Sequence, residues 1–262
     1  MLQRKHRDRT RLFLLEGEPL LREALATGAR VETMLVAPEL LEAGSARLCE
    51  MARRAGAARL EVSPEVLGSI SPQHGHQGML AVARQRWWPL EEMTPGAEDC
   101  YVAVKEIREP WSIGTIVRTC EAVGGQGVIL MGESTDPYHP VAARASMGTI
   151  FTQRLVKSDL AELGAWSRRH GVCIVGTSPS GGTDYRKADY RRPLVLFMGS
   201  ERVGLSAEEE ALCDVIVRIP MVGRCESHHV AVATGVVLYE VFDQGRGDGA
   251  GGVEKAPRVW KQ

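Results

Sequence analysis

The chain has 262 residues, 44% of them apolar and 25% charged, enough for one large hydrophobic core or two modest ones. Lys plus Arg number 32 against 33 Asp plus Glu, a formal net charge of −1. That balance excludes a nucleic-acid binder driven by bulk positive charge and leaves only local patches for such a role.

The N-terminus is basic (Arg4, Lys5, Arg7, Arg9, Arg11), and the apolar run 12–15 that follows stops at Glu16. A signal peptide needs a longer hydrophobic stretch, and no segment approaches the roughly 20 apolar residues of a membrane span. Residues 18–27 carry helical spacing up to Gly28, 33–37 read as a strand, and 45–55 as a helix stopped by Gly56. Strand-like 59–62, a short helix at 64–70 and a strand at 78–84 complete a small α/β unit. His74 and His76 have no carboxylate or cysteine at ligand spacing and read as turn residues. Residues 87–98 mix Trp, Pro, Gly and acids, and are expected to be a solvated interdomain linker.

Beyond the linker the rhythm is cleaner. Strands are expected at 101–104, 127–131, 172–176, 194–198 and 215–219, with helices at 113–123, 159–170, 206–212 and 230–242. Continuous apolar strands alternating with helices predict a parallel sheet covered on both faces. From 246 the Gly-rich chain reads as a flexible tail. The six cysteines form no CxxC pair and mostly sit in apolar runs, which fits reduced thiols in a cytoplasmic protein and no metal site.

Three polar segments each follow an expected strand at its C-terminal end, where open α/β sheets place ligands. In residues 106–118, Pro110 and Gly114 suit a turn opening a helix, with Arg118 about one turn inside. Such an Arg can hold a phosphate with help from the helix dipole, or pair with Glu109 or Glu121 on the surface. In residues 198–205, Gly199 and Gly204 bracket Ser200-Glu-Arg-Val203; Ser206 with Glu209 has capping-box spacing for the next helix. In residues 219–230, Ser227 and two adjacent histidines stand at a helix start, open to chemistry or to a structural role.

Taken in order, these segments resemble the SpoU/TrmH branch of the SPOUT methyltransferases. Gly199-Ser-Glu-x-x-Gly-Leu205 and Ile219-Pro-Met-x-Gly-x-x-x-Ser227 match that family's second and third motifs. Arg144-Ala-Ser-Met-Gly148 and Gly181-Gly-Thr-Asp184 look like its intervening stretches. Phe13-Leu-Leu-Glu-Gly17 and Gln77-Gly-Met-Leu-Ala81 resemble the ribosomal-protein-like RNA-binding domain that many members carry.

The resemblance implies an α/β fold with a small N-terminal substrate-binding domain (1–86) and a C-terminal domain (99–245) knotted as a trefoil, one of the exceptions to unknotted topology. It implies a homodimer that transfers a methyl group from S-adenosylmethionine to a ribose 2′-hydroxyl of ribosomal or transfer RNA, without metal or membrane. Arg118, Glu201, Ser227, Ser112 and His229 take the catalytic positions. Thr177, Gly199, Gly204, Ile219, Met221 and His228 take the cofactor positions. The family usually has Asn where this chain has Ser112 and His229, so a weakened or inactive RNA-binding homologue is the competing expectation. A third expectation makes His229 a base acting on a different acceptor atom.

Overall fold

A computed structural model describes residues 2–71, 77–134 and 136–246. His74, His76 and the expected tail from residue 247 lie outside the described residues. The first half of the chain runs α1 (Arg4–Thr10), β1 (Leu12–Glu16), α2 (Glu18–Ala26), β2 (Val31–Val36), α3 (Ala43–Arg54), β3 (Ala58–Glu61), α4 (Pro64–Ile70) and β4 (Met79–Arg84). It continues with β5 (Cys100–Lys105), α5 (Pro110–Ala122), β6 (Gly127–Met131), α6 (Pro140–Ala145), β7 (Arg154–Ser158) and α7 (Leu160–His170). The last elements are β8 (Cys173–Thr177), β9 (Thr183–Asp184), β10 (Leu194–Met198), α8 (Ala207–Leu212), β11 (Val215–Arg218) and α9 (Val230–Arg246).

The chain forms two compact units. Of the described residues, one takes those up to Trp87 with Glu109–Arg118 and those from 136 to Gln153; the other takes Trp88–Arg108, Thr119–Ser134 and those from Arg154 to Arg246. The first unit holds a four-stranded sheet in the order β1-β4-β2-β3, with only β2 and β3 parallel. Phe13, Leu14 and Leu15 are buried in it. Phe13 packs against Tyr138 and Phe151, with ring centroids 4.7 and 5.9 Å away, which is how residues 136–153 join this unit. Arg7, part of the basic N-terminal run, is 1% exposed and donates to Asp136 at 2.6 Å. A Cβ at Gly114 would stand 2.2 Å from the Ala142 carbonyl oxygen, so close approach of α5 and α6 requires glycine there.

The second unit holds a seven-stranded, all-parallel sheet in the order β7-β6-β5-β10-β8-β11-β9. The residues of β6 and β10 are all buried, as the continuous apolar runs require. The two strands that the apolar pattern does not reveal, β7 and β9, are the edges: β7 carries Arg154, Lys157 and Ser158, and β9 has two residues. Within residues 87–98, expected as a solvated linker, the acids Glu91, Glu92 and Glu98 are exposed, while two apolar residues enter this unit's core. Leu90 and Met93 belong to its core, and the Trp166 indole N–H donates to the Met93 carbonyl at 2.8 Å.

Candidate functional site

The adjacent strands β10, β8 and β11 end at one level, with Met198 opposite Thr177 and Thr177 opposite Val217. The chain leaving these ends forms three loops around a cavity of about 460 Å³, the size of a small-molecule or cofactor site. Met198, Val217, Ile219 and Met221 supply apolar surface; Thr177, Ser178, Glu201, Ser227, His228 and His229 supply polar groups. Nine of the eleven expected site residues line this one cavity: those six polar residues less Ser178, together with Gly199, Gly204, Ile219 and Met221. Ser112 and Arg118 do not line it. Met198, Glu226 and Val230, which fall within the polar segments 198–205 and 219–230, also line it, as does Ser178, which lies outside all three. Met198 had a usable signal, since it is the last residue of a wholly apolar strand.

The loop after β10 closes on its own backbone. Ser200 and Gly204 exchange N–H to carbonyl bonds at 2.9 Å in both directions, and the Val203 N–H donates to Ser200 Oγ at 3.2 Å. Gly204 has φ +75°, and a Cβ at Gly199 would lie 2.3 Å from the Gly204 carbonyl carbon. Only glycine permits that approach, so this wall of the cavity is main chain.

Contacts behind the loop hold it. The Arg108 N–H donates to Glu201 Oε2 at 3.3 Å, tying the loop to the segment that follows β5. The expected capping box is present, with the Ser206 N–H donating to Glu209 Oε2 at 2.8 Å and the Glu209 N–H to Ser206 Oγ at 3.3 Å. Glu209 is buried and also pairs with the Lys105 ammonium, whose proton it holds more tightly than usual by accepting its hydrogen bond.

The loop after β11 ends in a cap. The Ala231 N–H donates to His229 Nδ1 at 3.2 Å, and the His229 carbonyl accepts from Val232 and Ala233. With Nδ1 accepting, a neutral ring carries its proton on Nε2. His229 therefore opens α9 while lining the cavity.

Two expectations for α5 are corrected. Pro110 is itself the first helical residue, as its fixed φ favours, so Arg118 lies more than two turns inside rather than one. At that depth the dipole at the helix start no longer assists an anion. Arg118 is exposed, and among the described residues no carboxylate approaches it within ion-pair distance, so pairing with Glu109 or Glu121 is not formed. Ser112 is fully buried, its N–H bonded to the Glu109 carbonyl at 3.0 Å.

Many of the chain's arginines make internal contacts. Arg192 donates to the carbonyls of Glu98 and Val241, at 2.8 and 3.0 Å. Arg186 pairs with Asp184 and Arg191 with Asp189. In the first unit Arg53 and Arg54 pair with Glu50, and Arg30 and Arg84 with Glu32. Such exposed pairs are worth at most about 1 kcal/mol, so these guanidinium groups can exchange a carboxylate for a phosphate at little cost. Among the described residues no His/Cys/Asp/Glu group could hold a metal, and no helix is long and apolar enough to cross a membrane.

Comparison with known proteins places this geometry in context. The profile of the SpoU rRNA methylase family matches residues 99–239, and that of the MRM3-like substrate binding domain matches residues 1–81. The 23S rRNA (uridine(2479)-2'-O)-methyltransferase of Streptomyces viridochromogenes is 29% identical over 92% of this chain and 86% of its own. The 23S rRNA (guanosine(2553)-2'-O)-methyltransferase RlmP of Bacillus subtilis is 26% identical over 91% of each. The crystal structure of an AdoMet-bound rRNA methyltransferase from Sinorhizobium meliloti shares 35% identity and a TM-score of 0.85, covering 93% of this chain and 91% of that one.

Proposed function

The chain belongs to the SpoU rRNA methylase family, and we propose that it transfers a methyl group from S-adenosylmethionine to a ribose 2′-hydroxyl of ribosomal RNA. The observation that carries this reading is the cavity at the ends of β8, β10 and β11, where nine residues expected for cofactor and acceptor chemistry converge. Relatives of this family named as 23S rRNA 2'-O-methyltransferases, and a neighbour crystallised with AdoMet, support the substrate and the cofactor.

The cavity fits the cofactor in size and in lining. Met198, Val217, Ile219 and Met221 offer apolar surface to a purine, and the close main-chain approach of Gly199 to Gly204 leaves room for it along the adjoining wall. S-adenosylmethionine supplies an electrophilic methyl on a sulfonium centre. The chain's task is orientation, because methyl transfer needs in-line approach and a ribose hydroxyl is a poor nucleophile at neutral pH. Arg118, exposed and unpaired with any described carboxylate, holds the phosphate beside the acceptor ribose. Ser227 and Glu201 offer hydrogen-bond partners on the cavity side. The first unit holds the RNA through arginines that trade carboxylates for phosphates. A homodimer, each active site drawing on both subunits, and a cytoplasmic location complete the reading.

A second reading, an RNA-binding homologue without turnover, draws on the burial of Ser112 and the capping role of His229. Incubating the purified protein with unmodified 23S rRNA transcript and methyl-tritiated S-adenosylmethionine separates them. The proposal expects label in alkali-resistant dinucleotides, since a 2′-O-methyl group blocks hydrolysis at that ribose. Cofactor binding without transfer favours the second reading, and label on a base shows that the acceptor is not a ribose.

A further inference from the structure

The helix that carries Arg118 also carries an aromatic residue that the reaction does not use. Trp111 is 43% exposed at the start of α5, although large aromatic side chains are normally drawn into a core. It precedes Arg118 by seven residues, two helical turns, so both project from one stripe, with Thr115 between them. On the opposite side Ile113, Ile116 and Cys120 are wholly buried. The closeness of Gly114 to the Ala142 carbonyl fixes the same turn to α6. The stripe is thus an exposed indole and an exposed guanidinium on a rigid backbone, roughly 10 Å apart along the axis.

We propose that this stripe of α5 is a docking surface for unpaired RNA, with Trp111 stacking a base that flanks the target nucleotide while Arg118 holds the phosphate. The inference rests on the methyltransferase reading for the role of Arg118. The choice of RNA follows from complementarity. An aromatic face beside a cation matches a base linked to a phosphate, and unstacked single-stranded bases are what proteins read by such stacking. The axial separation is of the order of one to two nucleotides of extended strand, so the stacked base belongs to a neighbour of the methylated residue. Stacking is tolerant of base identity, so Trp111 contributes affinity and placement more than sequence choice.

The test compares wild type, W111F and W111A by filter binding to unmodified 23S rRNA transcript. S-adenosylmethionine affinity is measured by calorimetry on the same samples, and oligomeric state by sedimentation. The proposal expects W111A to weaken RNA binding about 5- to 100-fold, the range for loss of one stacked base. It expects W111F to stay within about threefold of wild type, with cofactor affinity and sedimentation unchanged in both variants. RNA binding by W111A equal to wild type overturns it. A W111A protein that sediments as a smaller species also overturns it, by assigning Trp111 to contact with a second copy. The comparison needs no turnover, so wild-type protein that binds RNA but transfers no methyl group defeats the transferase reading, and the loss of binding in W111A still supports the stack.

Discussion

The carboxylate of Glu201 accepts the backbone N–H of Arg108 at 3.3 Å, joining the loop that walls the cofactor cavity to the segment that leads from β5 into α5. The buried carboxylate of Glu209, ion-paired to Lys105, makes a second tie between the same regions. Glu201 therefore has a positioning contact as well as a place on the cavity wall.

If position is its main contribution, Glu201→Gln retains an acceptor and loses little. Glu201→Ala forfeits a charge-assisted hydrogen bond at an exposed site, about 1 kcal/mol, or roughly fivefold in affinity. Calorimetry with S-adenosylmethionine is expected to show a loss of about fivefold for Ala and less than twofold for Gln. Equal losses in both would show that charge, not position, is what the site uses.

Gly199→Ala is expected to be far more damaging to the site than to the fold. The added Cβ meets the Gly204 carbonyl carbon at 2.3 Å, main chain on main chain, and the loop must open. S-adenosylmethionine affinity should fall more than tenfold while the thermal midpoint moves little, because the loop lies beyond the ends of the core strands. Unchanged cofactor affinity would place the ligand elsewhere.

The buried Arg7–Asp136 pair carries stability rather than chemistry. Removing one partner leaves the other charge buried without compensation, which costs about 3 kcal/mol. Asp136→Ala should therefore lower the urea midpoint sharply. Arg7→Met with Asp136→Leu should recover much of the loss, since an apolar pair avoids desolvating either ion. Failure of the double variant to recover would mean that the other contacts of Arg7, such as its donation to the Leu2 carbonyl, dominate.

His139 gives a pH dependence with a definite sign. Burial, reinforced by the charge of Arg7, holds its imidazole below its ordinary value near 6.5. As pH falls through that value the unfolded chain takes up a proton that the folded chain refuses, so stability is lost toward acid. His139 Nδ1 caps α6 by accepting the Val141 N–H, a role that Asn also fills. Urea titrations at pH 7.5 and 5.5 should show a smaller acid loss for His139→Asn than for wild type. An equal loss would assign the acid sensitivity to other groups.

Much of the fold was legible because its central strands are buried on both faces. Residues 127–131 and 194–198 read as strands with the bounds they adopt, since no polar residue interrupts them. The edges were not legible, because β7 carries charges and β9 is too short for any periodicity. Tertiary contacts also stay hidden behind polar surroundings: Arg7 is buried by a partner 129 positions away, and Leu90 and Met93 enter the core from a segment whose acids are exposed. At the site, the glycines and the Ser206–Glu209 cap could be anticipated from local backbone requirements. The capping role of His229 and the burial of Ser112 could not, because each depends on where a helix begins.

The most direct test of the central claim is a map of ribose methylation across ribosomal RNA from cells with and without this gene. One 2′-O-methyl group is expected to be lost on deletion and restored by the wild-type gene, but not by one encoding Gly199→Ala. An unchanged map, with the protein shown to be expressed, would contradict it.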